Sequence, residues 1–382
     1  MLYTIKEFLK SHRTFYRCYY YVISSIIYVI RLFVKTDNHL ILFVSYGGKH
    51  FADSPKNIFE CMIEDDRFNG YHYVWAFIDP SKFDVPQARK INIDSFEYIL
   101  VALKARVWIT NVVIERALNF RGKKTFYLCT SHGIPLKGKK KEGNAFQPLS
   151  PFHYDVLLAQ SECDARLQQV EFNIDPNKIK MLGYPRNDKF AGNSFTIGEK
   201  VRRYYNILQD KQIILYAPTY RDWNKGYEHI NIDIEKWRDK LEDKYVLLFR
   251  AHPTVMLNHT IDEDHFFKNV TKYEDLDELL MAADVLISDY SSMFFDYSIM
   301  HKPMICWAYD YAEFCKYRYL RVDLINEVYG GEISEDNLID ILDKGDFTES
   351  IDMTRRFQEK YVTVYGNSSK AAVDLIYSKI VS

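Results

Sequence analysis

No Cys-x-x-Cys pair occurs among the six cysteines of this 382-residue chain, Cys18, Cys61, Cys129, Cys163, Cys306 and Cys315. That spacing suggests neither a zinc ribbon nor a disulfide framework, and it fits a reducing compartment. Net charge is nearly absent too, −2 with 50 Lys and Arg, so no global basic field argues for nucleic acid. The chain has no Gly-x-Gly-x-x-Gly run, which leaves a dinucleotide enzyme unsupported. It has no Gly-x-x-x-x-Gly-Lys-Ser/Thr run, which argues against an ordinary ATPase. No Gly-x-Ser-x-Gly elbow points to a serine hydrolase. No His-x-x-x-His pair supports a metal site, and no cofactor is expected. Repeats and low-complexity segments are missing as well.

What is present begins with length and an apolar content of 47%, enough for two domains that each bury a core. Residues 1–36 stand apart. They carry Lys6, Lys10, Arg13, Arg17, Arg31 and Lys35 against Glu7 alone, with aromatic and aliphatic residues between. The apolar run between Arg17 and Arg31 is 13 residues, short of the ~20 that span a bilayer. No small-residue cleavage site follows, so a signal peptide is not expected. Three readings fit: an interfacial membrane anchor, a short or tilted span, and a helix packed on the domain. The mixture of cations and rings favours the interface, where cations meet anionic lipid.

From residue 37 on, the pattern alternates between strand and helix. Leu40–Ser45, Tyr73–Ile78, Arg106–Thr110, Thr125–Thr130 and Asp155–Ala159 read as buried parallel strands. The pattern restarts with Ile213–Ala217, Tyr245–Arg250, Asp284–Ser288 and Met304–Trp307. Two sets of β/α units predict an α/β protein with two doubly wound, Rossmann-like domains, 37–195 and 196–382. The last helix, Ser368–Ile380, is a candidate to cross back. Ligands of such sheets bind beyond the carboxyl ends of the strands, so the residues at those ends carry the functional reading.

The sharpest of these ends is Val285-Leu-Ile-Ser-Asp289-Tyr-Ser291-Ser292-Met-Phe-Phe-Asp296. A buried strand, a tight turn and a helix start place Ser291 and Ser292 where spare N–H donors and a positive dipole end meet an anion. Asp289, Ser291 and Ser292 equally suit plain helix capping. Asp296 fits an orienting carboxylate, a ribose ligand or a simple helix-face acid. His132 follows a strand and precedes Gly133, which lets a substrate approach the backbone closely, and a basic loop beginning at Lys137. An imidazole so placed suits deprotonation of a hydroxyl near a phosphate, or is a surface histidine in a solvated turn. Arg250 and His252 alternate at another strand end and point to one side, which suits a diphosphate; the plain alternative pairs Arg250 with a structural carboxylate. Arg221 closes a third strand end with a guanidinium, a forked phosphate ligand.

Five segments, in order, carry a family resemblance. They are Ser131-His132-Gly133-Ile134-Pro135-Leu136-Lys137, Gly183-Tyr-Pro185-Arg186-Asn-Asp188, Tyr216-Ala-Pro218-Thr219-Tyr-Arg221, Phe249-Arg250-Ala-His252-Pro253, and Ser288-Asp289-Tyr-Ser291-Ser292 through Lys302-Pro303. Together they resemble the CDP-glycerol glycerophosphotransferases, the teichoic-acid primases and polymerases, over residues 40 to 380. The resemblance implies a GT-B-like fold with two domains facing a central cleft. It implies transfer of glycerol phosphate from CDP-glycerol to a hydroxyl of a lipid-linked saccharide or polyol-phosphate acceptor, with release of CMP, in teichoic-acid-like or capsular polymer synthesis. It casts His132 as the base, His252 as a second catalytic histidine on the donor diphosphate, and Arg221, Ser291 and Ser292 as facing the donor; the reading of the strand ends adds Arg250, Asp289 and Asp296 to the donor side. Gly133 and Lys137 fall on the acceptor or phosphate side. It further implies a peripheral protein of the cytoplasmic membrane face, in agreement with residues 1–36. The alternatives are a transferase of the same fold using CDP-ribitol or a nucleotide sugar, and an idle scaffold. One departure is local: the family's Trp-His-Gly-Thr is Ser131-His132-Gly133-Ile134 here, which removes a hydroxyl beside the histidine.

Overall fold

The structure is a computed structural model and describes residues 12–115, 118, 120–139, 153–192, 195–221, 223, 227–228, 232–251, 256–257 and 263–381. The chain forms two compact units. The first comprises Met1–Ile134, Glu142–Asp188 and Asn367–Ser382, and the second Pro135–Lys141 and Lys189–Gly366. The division thus falls at Asp188, where the sequence reading puts the join at 195/196. The reason is packing: Lys189 already pairs with Asp277 of the second unit at 2.7 Å, while Asp188 caps the last helix of the first.

The first unit is built on seven parallel strands in the order Ala88–Asn92, His72–Phe77, Asp37–Val44, Ala105–Thr110, Phe126–Cys129, Val156–Ala159 and Ile179–Met181. Side chains alternate across the sheet, so Ile41 and Phe43 enter one apolar layer while Leu40, Leu42 and Val44 enter the other. Both layers are covered, which is why these strands read as continuous apolar runs. The chain's many aromatics find use here. Phe43 faces Trp75 across the strand pair, stacked at 5.1 Å, and Trp75 stacks on Phe77 at 5.8 Å. The helix Ser368–Val381 closes this layer through Ala372, Val373 and Ile376.

The helix Arg13–Phe33 covers the opposite layer. Tyr16 and Ile27 are buried, and Tyr20, Ile23, Ile30 and Val34 pack on the core at helical spacing. Its other side stays apolar and exposed, with Phe15, Val22, Ile26, Val29, Leu32 and Phe33 all at least half accessible. No helix among the described residues is long and apolar enough to cross a membrane.

The second unit has six parallel strands in the order Phe267–Asn269, Tyr245–Phe249, Gln212–Tyr216, Val285–Ser288, Met304–Trp307 and Gly330–Gly331. Ile214, Tyr216, Leu247, Phe249, Ile287 and Ile305 fill one core layer against Trp237 and Leu338. Its helices start where the sequence puts a cap. Asp275 accepts the N–H groups of Asp277 and Glu278, and Ser334 that of Asn337. In both sheets the strand order reverses beside the first strand of the unit. The loops at those switch points, after Val44 and Thr110 and after Tyr216 and Ser288, are where such sheets hold ligands.

Candidate functional site

In the first unit the strand Phe126–Cys129 runs out into Thr130, whose N–H still bonds the Thr110 carbonyl at 2.7 Å. The chain then turns sharply. Ser131 lies in the left-handed region at φ 59°, Gly133 has φ 133°, and Ser131 Oγ donates to the Gly133 carbonyl at 3.1 Å. A serine held in that region costs ~1–3 kcal/mol, a strain found mainly where function requires it. The turn leaves His132 exposed. Its Nδ1 faces the Asn111 carbonyl at 3.4 Å, and its ring stands edge-on to Tyr46. With Nδ1–H directed at that carbonyl, Nε2 keeps its lone pair for a proton.

Beneath His132 lies a buried network. The Asn111 side chain accepts the Tyr46 N–H at 2.8 Å and donates to Asp53 at 2.9 Å. Asp53 pairs with Arg186 at 3.2 Å, and both are buried. Burial works against the Asp53 charge, but the Arg186 guanidinium and hydrogen bonds from Tyr46, Ser54 and Asn111 hold its carboxyl below the ordinary range. Tyr46 and Asp53 are, like Ser131, non-glycine residues at positive φ, 47° and 64°. Two strained residues of the loop after Val44 therefore bond one asparagine at the switch point, and the strained Ser131 precedes the histidine that faces its carbonyl. Gly48 belongs to the same loop, and its φ is 86°. A Cβ there would stand 3.0 Å from the Ile78 nitrogen, so Gly48 lets two strand ends close up.

In the second unit three neighbouring strand ends converge on Arg221. Its Nε and Nη2 form a fork on Asp310 at 2.8 and 2.9 Å, Nη2 also reaches Asp289 at 2.7 Å, and Nη1 donates to the Thr219 carbonyl. Burial disfavours the guanidinium charge, and Asp289 and Asp310 more than restore it. Asp289 also accepts the N–H groups of Thr219 at 2.9 Å and Tyr290 at 2.6 Å. Burial pushes this carboxyl up, but Arg221 and those donors hold it below its ordinary value. Asp289 is therefore not a helix cap, and Arg221 is a buried organiser of loops rather than an outstretched cation.

The other donor-side residues are placed differently. Ser291 Oγ accepts the Met293 N–H at 3.2 Å, while the Ser292 hydroxyl makes no bond to the helix Met293–Ser298 that it precedes. Arg250 donates to the carbonyls of Val270 and Tyr273 at 3.2 and 2.7 Å. No carboxylate pairs with it among the described residues, and burial depresses its pKa. A partly buried cation in that state favours an anion. Asp296 is buried in its short helix and adds to the field that raises the Asp277 carboxyl, after burial and despite Lys189. His252 lies outside the described residues. Gly133 belongs to the first unit and Lys137 to the second, in the short strand Lys137–Lys139 paired antiparallel with Arg318–Leu320. Among the described residues no group of three His, Cys, Asp or Glu side chains is placed to hold a metal ion.

The strand-end reading includes Asn111 and Asp310 but not the groups that they bind, and it misses Asp53. Nothing local marks Asp53, because its partners lie 58 and 133 residues away in the chain.

The family profile for CDP-glycerol:poly(glycerophosphate) glycerophosphotransferase matches residues 26–378. A teichoic acid poly(glycerol phosphate) polymerase of Staphylococcus epidermidis is 31% identical over 381 residues, covering 91% of this chain. The chain spans only about half of that relative, 52% of its length. A teichoic acid glycerol-phosphate transferase of Staphylococcus aureus is 31% identical over 397 residues, covering 92% of this chain and 97% of the relative. Among solved structures, a histidine variant of the wall teichoic acid polymerase TagF soaked with CDPG aligns with a TM-score of 0.80 at 28% identity. That alignment covers 91% of this chain and 90% of the other, and it makes the α/β architecture GT-B-like.

Proposed function

This chain belongs to the CDP-glycerol glycerophosphotransferase family, and from that premise we propose that it transfers glycerol phosphate from CDP-glycerol to a hydroxyl of a teichoic-acid-type acceptor, releasing CMP. The observation that carries this reading is the exposed His132, at a sheet's carboxyl end, with Nδ1 turned to a carbonyl. His132 Nε2 takes the proton of the acceptor hydroxyl as its oxygen attacks the phosphorus that bears glycerol. The bond from that phosphorus to the bridging oxygen breaks, and CMP leaves with the electron pair. Arg250, His252, Ser291 and Ser292 supply cations, hydroxyls and N–H donors to the diphosphate, where charge builds on the leaving group. Arg221 and Asp289 keep the loops that carry them in register. The test is CMP release from CDP-glycerol by the purified protein, with CDP-ribitol and nucleotide sugars in parallel. His132→Ala should lower the rate by ~10²–10⁴-fold. A rate within threefold of the parent would rule out the base, and a nucleoside diphosphate product would indicate glycosyl transfer.

The acceptor is lipid-linked, and the protein works at the cytoplasmic face of the membrane. Supporting this is the helix Arg13–Phe33, which packs one side on the core and turns Phe15, Val22, Ile26, Val29 and Phe33 outward, with Arg17 and Arg31 on the same helix and no acid. Deleting residues 1–36 would strip Tyr16 and Ile27 from the core, so substitutions on the outer side are the cleaner probe. Val22→Glu with Ile26→Glu should abolish co-sedimentation with anionic phosphatidylglycerol vesicles and leave the thermal midpoint unchanged. Undiminished binding would refute the assignment.

A further inference from the structure

We infer that the turn 121–125 is a second membrane contact, whose lysines take the phosphates of anionic phospholipid beside the helix Arg13–Phe33; the inference rests on the membrane reading given above. Every part of it belongs to the first unit. The helix shows where charge meets its apolar side. Arg17, Ser24 and Arg31 recur every seven residues, about two turns, and so follow one border of the helix. That border runs between the buried Tyr16 and Ile27 and the exposed Tyr21, Tyr28 and Leu32. Arg31 reaches out from it. Its guanidinium lies over the Tyr28 ring, 5.6 Å from the centroid, and its Nη1 donates to the Arg121 carbonyl at 3.3 Å. Its buried Nε has no partner among the described residues. Lys35, just beyond the helix at this end, is exposed.

The turn that Arg31 touches is built to present lysines. Ile114, Leu118 and Phe120 are buried in the same apolar layer as Ile27 of the helix. The chain then leaves that layer through Arg121, Gly122, Lys123 and Lys124. Arg121 holds the turn from inside, donating to the carbonyls of Thr125 at 3.0 Å and His153 at 2.8 Å and pairing with Asp155. Gly122 fits because a Cβ there would stand 2.5 Å from the Leu103 carbonyl oxygen. Asp155 is engaged by Arg121 and by the Tyr127 N–H, while Lys123 and Lys124 are exposed. An apolar helix side with cations along its border matches a bilayer surface of negative charge. The apolar side enters the acyl boundary, and lysines within a Debye length meet the phosphates. Two contacts from distant parts of the chain would also fix how the unit rolls about the helix axis.

Each lysine at an anionic surface strengthens partitioning by about fivefold. Lys123→Gln with Lys124→Gln should therefore weaken co-sedimentation with mixed phosphatidylglycerol and phosphatidylcholine vesicles by about 10- to 30-fold at about 0.1 M salt. The thermal midpoint should not move, because both side chains are exposed. Added salt should weaken the parent more than the variant. On phosphatidylcholine alone the two should bind equally. Lys82→Gln with Lys90→Gln removes the same charge from Pro80–Lys82 and the edge strand Ala88–Asn92, and should bind as the parent does. Val22→Glu with Ile26→Glu separates this inference from the reading beneath it. If that variant detaches while the Lys123 and Lys124 pair binds like the parent, the turn is no contact and the membrane reading stands. A parent that ignores anionic vesicles overturns both. An equal loss in the Lys82 and Lys90 pair, or an equal loss on phosphatidylcholine alone, would overturn the local contact with anionic lipid.

Discussion

Replacing Arg186 by methionine probes the network under His132 most directly. Asp53 and Arg186 are both buried, their closest atoms 3.2 Å apart, and Asp53 has no other cation beside it in the network described. Arg186→Met keeps much of the volume and leaves a buried carboxylate without a counter-charge. Breaking one partner of a buried pair costs ~3–5 kcal/mol, whereas replacing both is often near neutral. At ~2–4 °C per kcal/mol for a unit of this size, the midpoint of the first unit should fall by ~6–20 °C. Asp53→Asn should cost less, and Asp53→Asn with Arg186→Met should recover most of the loss. The pH dependence has a definite sign. In the parent the Asp53 carboxyl is held below its unfolded value, so its stabilisation is present above that value and is lost as pH falls through the folded one. In Arg186→Met only the hydrogen bonds from Tyr46, Ser54 and Asn111 still oppose burial, so the carboxyl rises and the native state takes a proton more readily than in the parent. The deficit relative to the parent should then shrink as pH falls from 8 towards 5. Scanning calorimetry across that range measures it. A deficit independent of pH, or an Asp53→Asn cost equal to that of Arg186→Met, would refute the argument. CMP release should fall in Arg186→Met as well, because Asn111 holds both Asp53 and the carbonyl that faces His132.

Two further outcomes test the second unit and the first switch-point loop. Arg221→Gln leaves Asp289 and Asp310 without their shared cation and should destabilise the second unit by ~3–5 kcal/mol. Arg221→Lys should recover only part of this, since a point charge cannot span both carboxylates as the guanidinium does; full recovery in thermal unfolding would show that charge alone matters. Gly47→Ala carries the left-handed penalty alone, ~1–2 kcal/mol, because nothing lies within 4 Å of its added Cβ. Gly48→Ala adds a collision with the backbone at Ile78 and should cost more in denaturant titration; equal losses would defeat that account.

The sequence alone carried the α/β class, the two successive sets of parallel strands and the strand ends where polar residues gather. It could do so because buried parallel strands are short apolar runs, helix starts are marked by Ser and Asp, and strand-end position is a local property. Edge strands such as Ala88–Asn92 and Ile179–Met181 escaped it, since half-exposed strands lose the apolar run that marks their neighbours. The partners of the marked residues escaped it for a different reason. Arg221 read as a phosphate ligand because a guanidinium at a strand end is competent to be one; that two carboxylates from neighbouring loops claim it is a fact of the folded sheet. His132 was legible as a base, but Asn111, Asp53 and Arg186 beneath it come from separate loops. Arg321 Nη1 likewise donates to the carbonyls of Pro135 and Lys137, 186 and 184 residues away in the chain. Residue types and local periodicity are written along the chain, whereas the choice of which charge meets which is made only when distant strand ends are brought side by side.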